Sequence, residues 1–514
     1  MNRSRLALPL LLLALACAQP AFGADSASKV IGRYRKAAGG NALKRVTSSF
    51  LTGTVKASDG QTGRFTYQIA APDRLRTDLE VGSLRVSECY NGKSAWRLDA
   101  RGLRTLLGPE AKRLRLESLI ANTRLRDLSR NRLAAKAPVK VSIDGRDAWA
   151  IEIVRDDARA KLYFDAATGL VMRLERERSD GIEEISYTDY KKIDGVMEPF
   201  AIRIKSGATD LAVTVDRVEH NRSVNQAEFR HPEIEGARPL PNLEVLMKAI
   251  TSNQERIEEL VDRYTFRQTQ TERKEEKNGE LKNGDTRVFE VTPVYGRPVR
   301  RLISVNGKDL SPSEREKEDR QVQNRVEDLI KEHEKEKKRE AKKEAEARKS
   351  GKARDEEDDD DDVTLLDFLR ISEITSVRRE MFRGYEVIAF DFEPRKGFKP
   401  RTRDENLVNK LAGTMWVDED ARQIARIEAR LTDSFKMGGG LLASISPSSA
   451  FVIEQEKIGD EVWLPSYNEI NLSARVFLFA KLKRNYVTRY SDYRKYQIDD
   501  KYELEKPKET TKPQ

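Results

Sequence analysis

The stretch Lys161-Leu162-Tyr163-Phe164-Asp165 runs into a turn at Thr168-Gly169 and returns through Val171 to Arg176. Short aliphatic and aromatic runs broken by a Gly-containing turn read as an antiparallel hairpin. Far downstream the same plan recurs: Met415-Trp416-Val417-Asp418, a turn over Glu419 to Arg422, and a return through Ile424 to Arg430. Two flanking elements recur in the same order. Asn91-Gly92-Lys93 corresponds to Asn306-Gly307-Lys308, and Ile193-Asp194-Gly195-Val196-Met197-Glu198-Pro199 corresponds to Ile458-Gly459-Asp460-Glu461-Val462-Trp463-Leu464-Pro465. Repetition in register predicts a duplicated antiparallel β domain, because each copy presents the same supersecondary unit.

Outward from these hairpins the chain reads mostly as strands. Ser48 to Lys56, Gly63 to Ile69, Arg74 to Glu80 and Ser83 to Tyr90 alternate apolar and polar residues, and Trp149, Ile151 and Ile153 face away from Ala150 and Glu152. Helices interrupt the strands at Lys29 to Ala38, with Val30, Ile31, Tyr34 and Ala37 on one face, and after Pro109, with Leu116, Leu119 and Ile120. A third covers Leu243 to Leu260, with Leu246, Ile250, Ile257 and Leu260 along one side. These signals divide the chain into a first domain at 24–235, a linker at 236–242, a second domain at 243–500 and a polar tail at 501–514. The fold class expected is α+β, mainly β, as two tandem antiparallel β domains with helices. The second carries a charged insertion at 311–362. Its first part keeps a stripe at Val322, Val326, Leu329 and Ile330 that predicts docking. Glu334 to Lys349 predicts a solvated, fraying helix, and Asp355 to Asp362 repels itself and predicts disorder.

The N-terminus predicts export. Arg3 and Arg5 precede a Leu/Ala-rich run from Leu6 to Ala18, and Ala21-Phe22-Gly23 places small residues at a cleavage site before Ala24. That run is too short for a membrane-spanning helix, so 1–23 reads as a cleaved signal peptide and the location expected is periplasmic. The alternative is a bacterial lipobox, which Ala14-Leu15-Ala16-Cys17 loosely resembles; Cys17 would then be lipidated. Beyond Cys17 only Cys89 remains, which excludes a disulfide scaffold. The net charge of +9 comes from interspersed acids and bases and describes a solubilising surface, with transient contact to an anionic membrane surface as the functional alternative.

Catalytic signatures are missing from the sequence. His220, His231 and His333 fall in no metal-ligand spacing, and Gly438-Gly439-Gly440 lacks the Lys-Ser/Thr of a phosphate loop. No enzyme, metal or cofactor is therefore expected, and mixed charge argues against nucleic acid.

The segment Pro72-Asp73-Arg74-Leu75-Arg76, followed by Asn91-Gly92-Lys93-Ser94-Ala95-Trp96, resembles the LolA/LolB-like outer-membrane lipoprotein carriers. So do the Asp165…Thr168-Gly169-Leu170 hairpin and the closing Val218-Glu219-His220-Asn221…Phe229…Pro232. The second half lacks the Pro-x-Arg strand and resembles the family mainly through the repeat. The resemblance implies that each domain is an open antiparallel half-barrel covered by helices, with an apolar cavity for the acyl chains of a lipid or lipoprotein, in transport or sorting within the cell envelope. Inward-facing candidates for that cavity are Phe65, Leu75, Leu84, Trp96, Trp149, Ile151, Ile153, Leu162 and Phe164. Arg74 and Arg76 are candidates to tie a strand to a lid helix, and Met437-Gly438-Gly439-Gly440-Leu441-Leu442 is a candidate lid or loop. The alternative function is an envelope-stress sensor resembling the anti-sigma-factor regulators of the RseB type, with an envelope protein partner held by the charged insertion.

Overall fold

The computed structural model describes residues 26–495, apart from 179–180, 235, 276–280, 296, 351–363, 438–442, 448, 460–461 and 477–479. The segment expected to direct export, with Cys17, the acidic run Asp355 to Asp362, residues Gly438 to Leu442 of the candidate loop and the polar tail lie outside the described residues. No described helix is long and apolar enough to cross a membrane.

The earlier part of the chain forms α1 (Ala27–Ala37), β1 (Ser48–Ala57), β2 (Thr62–Ala70), β3 (Arg74–Val81), β4 (Leu84–Tyr90), β5 (Ala95–Asp99), β6 (Gly102–Leu106), α2 (Gly108–Thr123), β7 (Ala134–Ala135), β8 (Val139–Ile143), β9 (Arg146–Arg155), β10 (Ala158–Asp165), β11 (Val171–Arg178), β12 (Gly181–Ile193), β13 (Val196–Ser206) and β14 (Thr209–His220). The later part forms α3 (Leu243–Val261), β15 (Tyr264–Glu275), β16 (Leu281–Val294), β17 (Arg297–Val305), β18 (Lys308–Asp309), α4 (Pro312–Ser350), α5 (Leu365–Ile371), β19 (Ser372–Phe382), β20 (Tyr385–Pro394), α6 (Arg403–Val408), β21 (Leu411–Asp418), β22 (Gln423–Leu431), β23 (Phe435–Met437), β24 (Ala443–Ile445), β25 (Ala450–Ile458), β26 (Val462–Val476) and β27 (Ala480–Lys495). The strands lie in two large antiparallel sheets, so the fold is mainly β with few helices.

By packing, the chain divides into two compact units, each assembled from two sequence segments. The first holds residues up to Pro72 and Leu116–Arg222; the second holds Asp73–Arg115 and everything from Ser223.

In the first unit the strand order is β2-β1-β14-β13-β12-β11-β10-β9, with β7 and β8 both on β9. Period-two alternation gives this sheet one apolar face. Phe65 pairs with Gly53, Val213 with Ile202, Leu174 with Ile185, and Leu162 with both Leu174 and Ile151. Val30, Ile31 and Tyr34 of α1, with Leu116 and Leu119 of α2, pack on the β9–β10 side against Ile151, Ile153, Leu162 and Phe164.

In the second unit β6-β5-β4-β3 form a meander, and the remaining strands run β18-β17-β16-β15-β27-β26-β25-β22-β21-β20-β19, with β24 on β26. Alternation along β20 sends Ile388, Phe390 and Phe392 toward α3 and α5, and Val387 and Ala389 toward Trp416 and Trp463 on the opposite face. The hairpins at 161–176 and 415–430 are β10–β11 and β21–β22. Each turn is held by a buried aspartate: Asp165 accepts from the Thr168 and Ala167 N–H groups, and Asp418 from Ala421 N–H and Trp463 Nε1.

The charged insertion begins as α4, which docks as its stripe predicts. Val326 is buried against Val294 and Val299, with Val322, Leu329 and Ile330 around it, and Arg301 pairs with Asp319 at 2.8 Å. His333 stacks on Tyr295 at 4.0 Å between ring centres, at the point where the apolar stripe ends. Val326→Asp is expected to cost about 2 kcal/mol of docking through lost apolar burial. That raises the undocked population roughly thirtyfold and speeds tryptic cleavage within α4 by a similar factor. Limited proteolysis with mass spectrometry checks this, and a cleavage rate equal to wild type would contradict the docking.

Candidate functional site

The inner face of the first unit is apolar, but charged and phenolic groups enter it at its centre. One set comes from the end of α2. Arg124 adopts a left-handed backbone (φ 51) directly after the helix, while its N–H still bonds to Ile120. This conformation closes a helix and turns the chain back. The Arg124 guanidinium thereby reaches Glu198 of β13 at 2.8 Å, and His220 Nε2 of β14 lies 3.0 Å from the same carboxylate oxygen. Glu198 is 3% exposed. Burial pushes its carboxyl up, but the Arg124 charge and the bonds from His220 and Arg124 outweigh that and hold it below the usual carboxylate range.

A second set lies along α2 and β11–β12. Glu117, buried in α2, pairs with Arg176 of β11, which also pairs with Glu183 of β12; Arg178 stands 3.4 Å from Glu183. Leu116, Glu117, Ser118 and Leu119 are all buried. Four consecutive buried residues leave this turn of α2 without a solvent face, so its carboxylate must be paired inside the protein. Around these pairs stand Tyr34, Tyr67, Tyr187 and Tyr190. Burial pushes all four phenols up from their ordinary value.

The structure distributes the sequence-derived candidates between the two units. Phe65, Ile151, Ile153, Leu162 and Phe164 are buried on the inner face of the first unit, and Trp149 is half-buried beside them. The helices fill the β9–β10 side of that face, so Ile151, Ile153, Leu162 and Phe164 are packed core. Leu75, Leu84 and Trp96 fall in the second unit. Trp96 is fully buried and its Nε1 donates to the Phe229 carbonyl at 3.1 Å; Leu75 is buried as well. Leu84 is a correction: it is 38% exposed rather than inward-facing. It is the first residue of β4 after the Gly82 turn, where alternation continues past the point that anything covers. Arg76 binds Asp78 at 2.9 Å and the Glu228 carbonyl, and lies over the Trp96 ring, so it ties β3 to the short helical turn Gln226–Phe229. Arg74 is half-buried. Met437 ends β23, opposite Ala443.

Arg124, Glu117, Arg176, Tyr67 and Tyr187 belong to this site without having stood out in the sequence. Tyr67 carried a usable signal, since period two places it on the face of Phe65 and Ile69.

The second unit contains a cleft of about 410 Å³ lined by residues of the 230–240 segment and by Ser376 to Arg379 of β19. Its two β19 arginines are engaged. Arg378 binds Glu380 at 2.8 Å and Asp391 at 3.3 Å, and Arg379 binds Glu419 at 2.8 Å and Glu386 at 3.1 Å. Among the described residues no three His, Cys, Asp or Glu side chains gather at metal-ligating range. Cys89 is buried, and burial pushes its thiol far above the ordinary range, leaving it unreactive.

No protein-family model matches the sequence, and no curated protein matches it. Among solved structures the chain is similar to a DUF1329 family protein from Desulfovibrio piger and to a LolA superfamily protein from Nitrosomonas europaea. Each is 12% identical, covers 40% of this chain and 98% of its own, and has a TM-score of 0.28. It is also similar to MucB, 12% identical over 52% of this chain and 80% of MucB, with a TM-score of 0.15.

Proposed function

We propose that this is an exported envelope protein that holds the acyl chain of a lipid or lipidated polypeptide against the inner face of its first unit. One observation carries the reading. That face is apolar and covered by helices on its β9–β10 side, and Tyr67 on β2 and Tyr187 on β12 stay half-buried between neighbours that are buried. Curved apolar surfaces with a few placed polar groups suit ligands of this kind. The chain purified without its first 23 residues should carry lipid detectable by mass spectrometry of an organic extract, and should take up a fluorescent acyl probe. Finding neither would overturn the reading.

A regulatory reading rests on α4. Its base is docked, while the described side chains from Glu334 to Arg339 are exposed and of mixed charge. Such a helix suits a charged protein partner. Deleting 311–362 should then abolish binding to that partner and leave acyl-probe uptake intact.

A further inference from the structure

Two phenols on the inner face of the first unit have hydroxyls that the fold leaves unmatched. Tyr67 lies on β2 between Phe65 and Ile69 and opposite Leu51, and none of these three is more than 4% exposed. Tyr67 itself is half-buried. A side chain in the middle of a buried row shows its surface only to space within the curve of the sheet. Tyr187 repeats the arrangement on β12. It follows buried Ile185 on the same face, sits opposite buried Ile202, and is half-buried.

The two rings share one electrostatic neighbourhood. Burial pushes both phenols up, Tyr67 feels Arg124 and Glu117, and Tyr187 feels Tyr67, Arg176 and Glu117. Both therefore remain neutral donors across the physiological range. Among the described residues neither hydroxyl has a hydrogen-bond partner. The neighbouring phenols do: Tyr190 donates to the Val171 carbonyl and Tyr163 to Glu175, each at 2.6 Å. Both hydroxyls are therefore free to donate to water or to the acceptor of an entering ligand.

The charges around the recess decide what can supply the acceptor. Arg124 faces Glu198, Arg176 faces Glu117 and Glu183, and Arg178 faces Glu183, which makes three cations and three carboxylates. Each cation is already matched, so an entering anion would lose its hydration for no net attraction. A neutral carbonyl bears no such cost.

We propose that Tyr67 and Tyr187 anchor a neutral, ester-linked acyl ligand by donating to its carbonyl oxygen, and that the recess discriminates against the ionised free acid. This rests on the acyl-binding reading above. The test uses the chain without residues 1–23 and three fluorescent probes with the same alkyl tail at pH 7: a glycerol ester, the glycerol ether that lacks the carbonyl, and the free acid. The ester should bind about tenfold more tightly than either of the others. Tyr67→Phe and Tyr187→Phe should each weaken the ester about threefold, and the double variant roughly tenfold, with ether affinity unchanged. Tyr163→Phe, whose hydroxyl serves Glu175, should leave all three affinities alone. Each substitution removes a single oxygen, and thermal midpoints matching wild type establish that the variants fold. Equal affinity for ester and acid, or an ester advantage that survives in the double variant, overturns the proposal while the acyl-binding reading stands. Failure of all three probes on the wild-type chain overturns both.

Discussion

Glu380→Ala should lower the stability of the second unit by about 3–5 kcal/mol, the usual cost of removing one partner from a buried ion pair. The Glu380 carboxylate is 3% exposed and accepts four bonds. Thr105 N–H donates at 3.3 Å, Thr105 Oγ1 at 2.8 Å, Arg378 Nε at 2.8 Å, and Trp416 Nε1 also donates to it. Alanine strands all four donors, and Arg378 keeps only Asp391, the Ser376 carbonyl and Thr105. Glu380→Gln preserves volume and one acceptor oxygen, so its cost should be smaller, about 1–3 kcal/mol. Denaturant unfolding followed by tryptophan fluorescence reads both, because the Trp416 indole loses its partner directly. Equal midpoints for the two variants would contradict the view that the volume and acceptor oxygen kept by glutamine still serve Thr105, Arg378 and Trp416.

Arg124→Met should cost the first unit a comparable amount at neutral pH, about 3–5 kcal/mol, by leaving Glu198 buried without its cation. The pH dependence separates this from lost packing. In the wild type the folded pKa of Glu198 lies below its unfolded value. Its contribution is therefore present above the ordinary glutamate pKa and is lost as pH falls through the lower folded value. Without Arg124, burial dominates and the folded pKa moves above the unfolded one. The variant then gains relative stability as the carboxyl protonates, so its deficit should be largest near pH 7, begin to shrink as pH falls through the raised folded pKa, and go on shrinking below the ordinary glutamate value of about 4.5. A deficit independent of pH would point to packing alone.

The strands were the most legible part of the sequence. β1 to β4 follow the alternating runs to within a residue or two, because both strand length and facing are written in period two. The docked base of α4 was readable for the same reason, since Val326 and its neighbours repeat at helical spacing. Leu84 shows the limit of that signal: alternation gives a face, and whether the face is covered depends on distant chain. Arg124 shows a different limit. Its function depends on a left-handed residue at a helix end that positions a guanidinium over a carboxylate 74 residues away, and neither the conformation nor the pairing has a local signature. Glu117 was hidden because an acidic residue in a helix normally reads as solvent-facing, whereas here it meets Arg176 inside the sheet.

The discontinuous second unit has a consequence for how the chain is made. Residues 73–115 belong with sequence that follows residue 222, and Thr105 meets Glu380 across a separation of 275 residues. At about 5–20 residues per second, the β3–β6 meander would wait roughly 14–55 s after synthesis before β19 exists. Throughout that time β6, whose Leu103 and Leu106 are buried in the finished protein, lacks the β19 strand that Thr105 meets. Early misfolding during synthesis should therefore begin at this meander, and a fragment ending near residue 235 should aggregate through it.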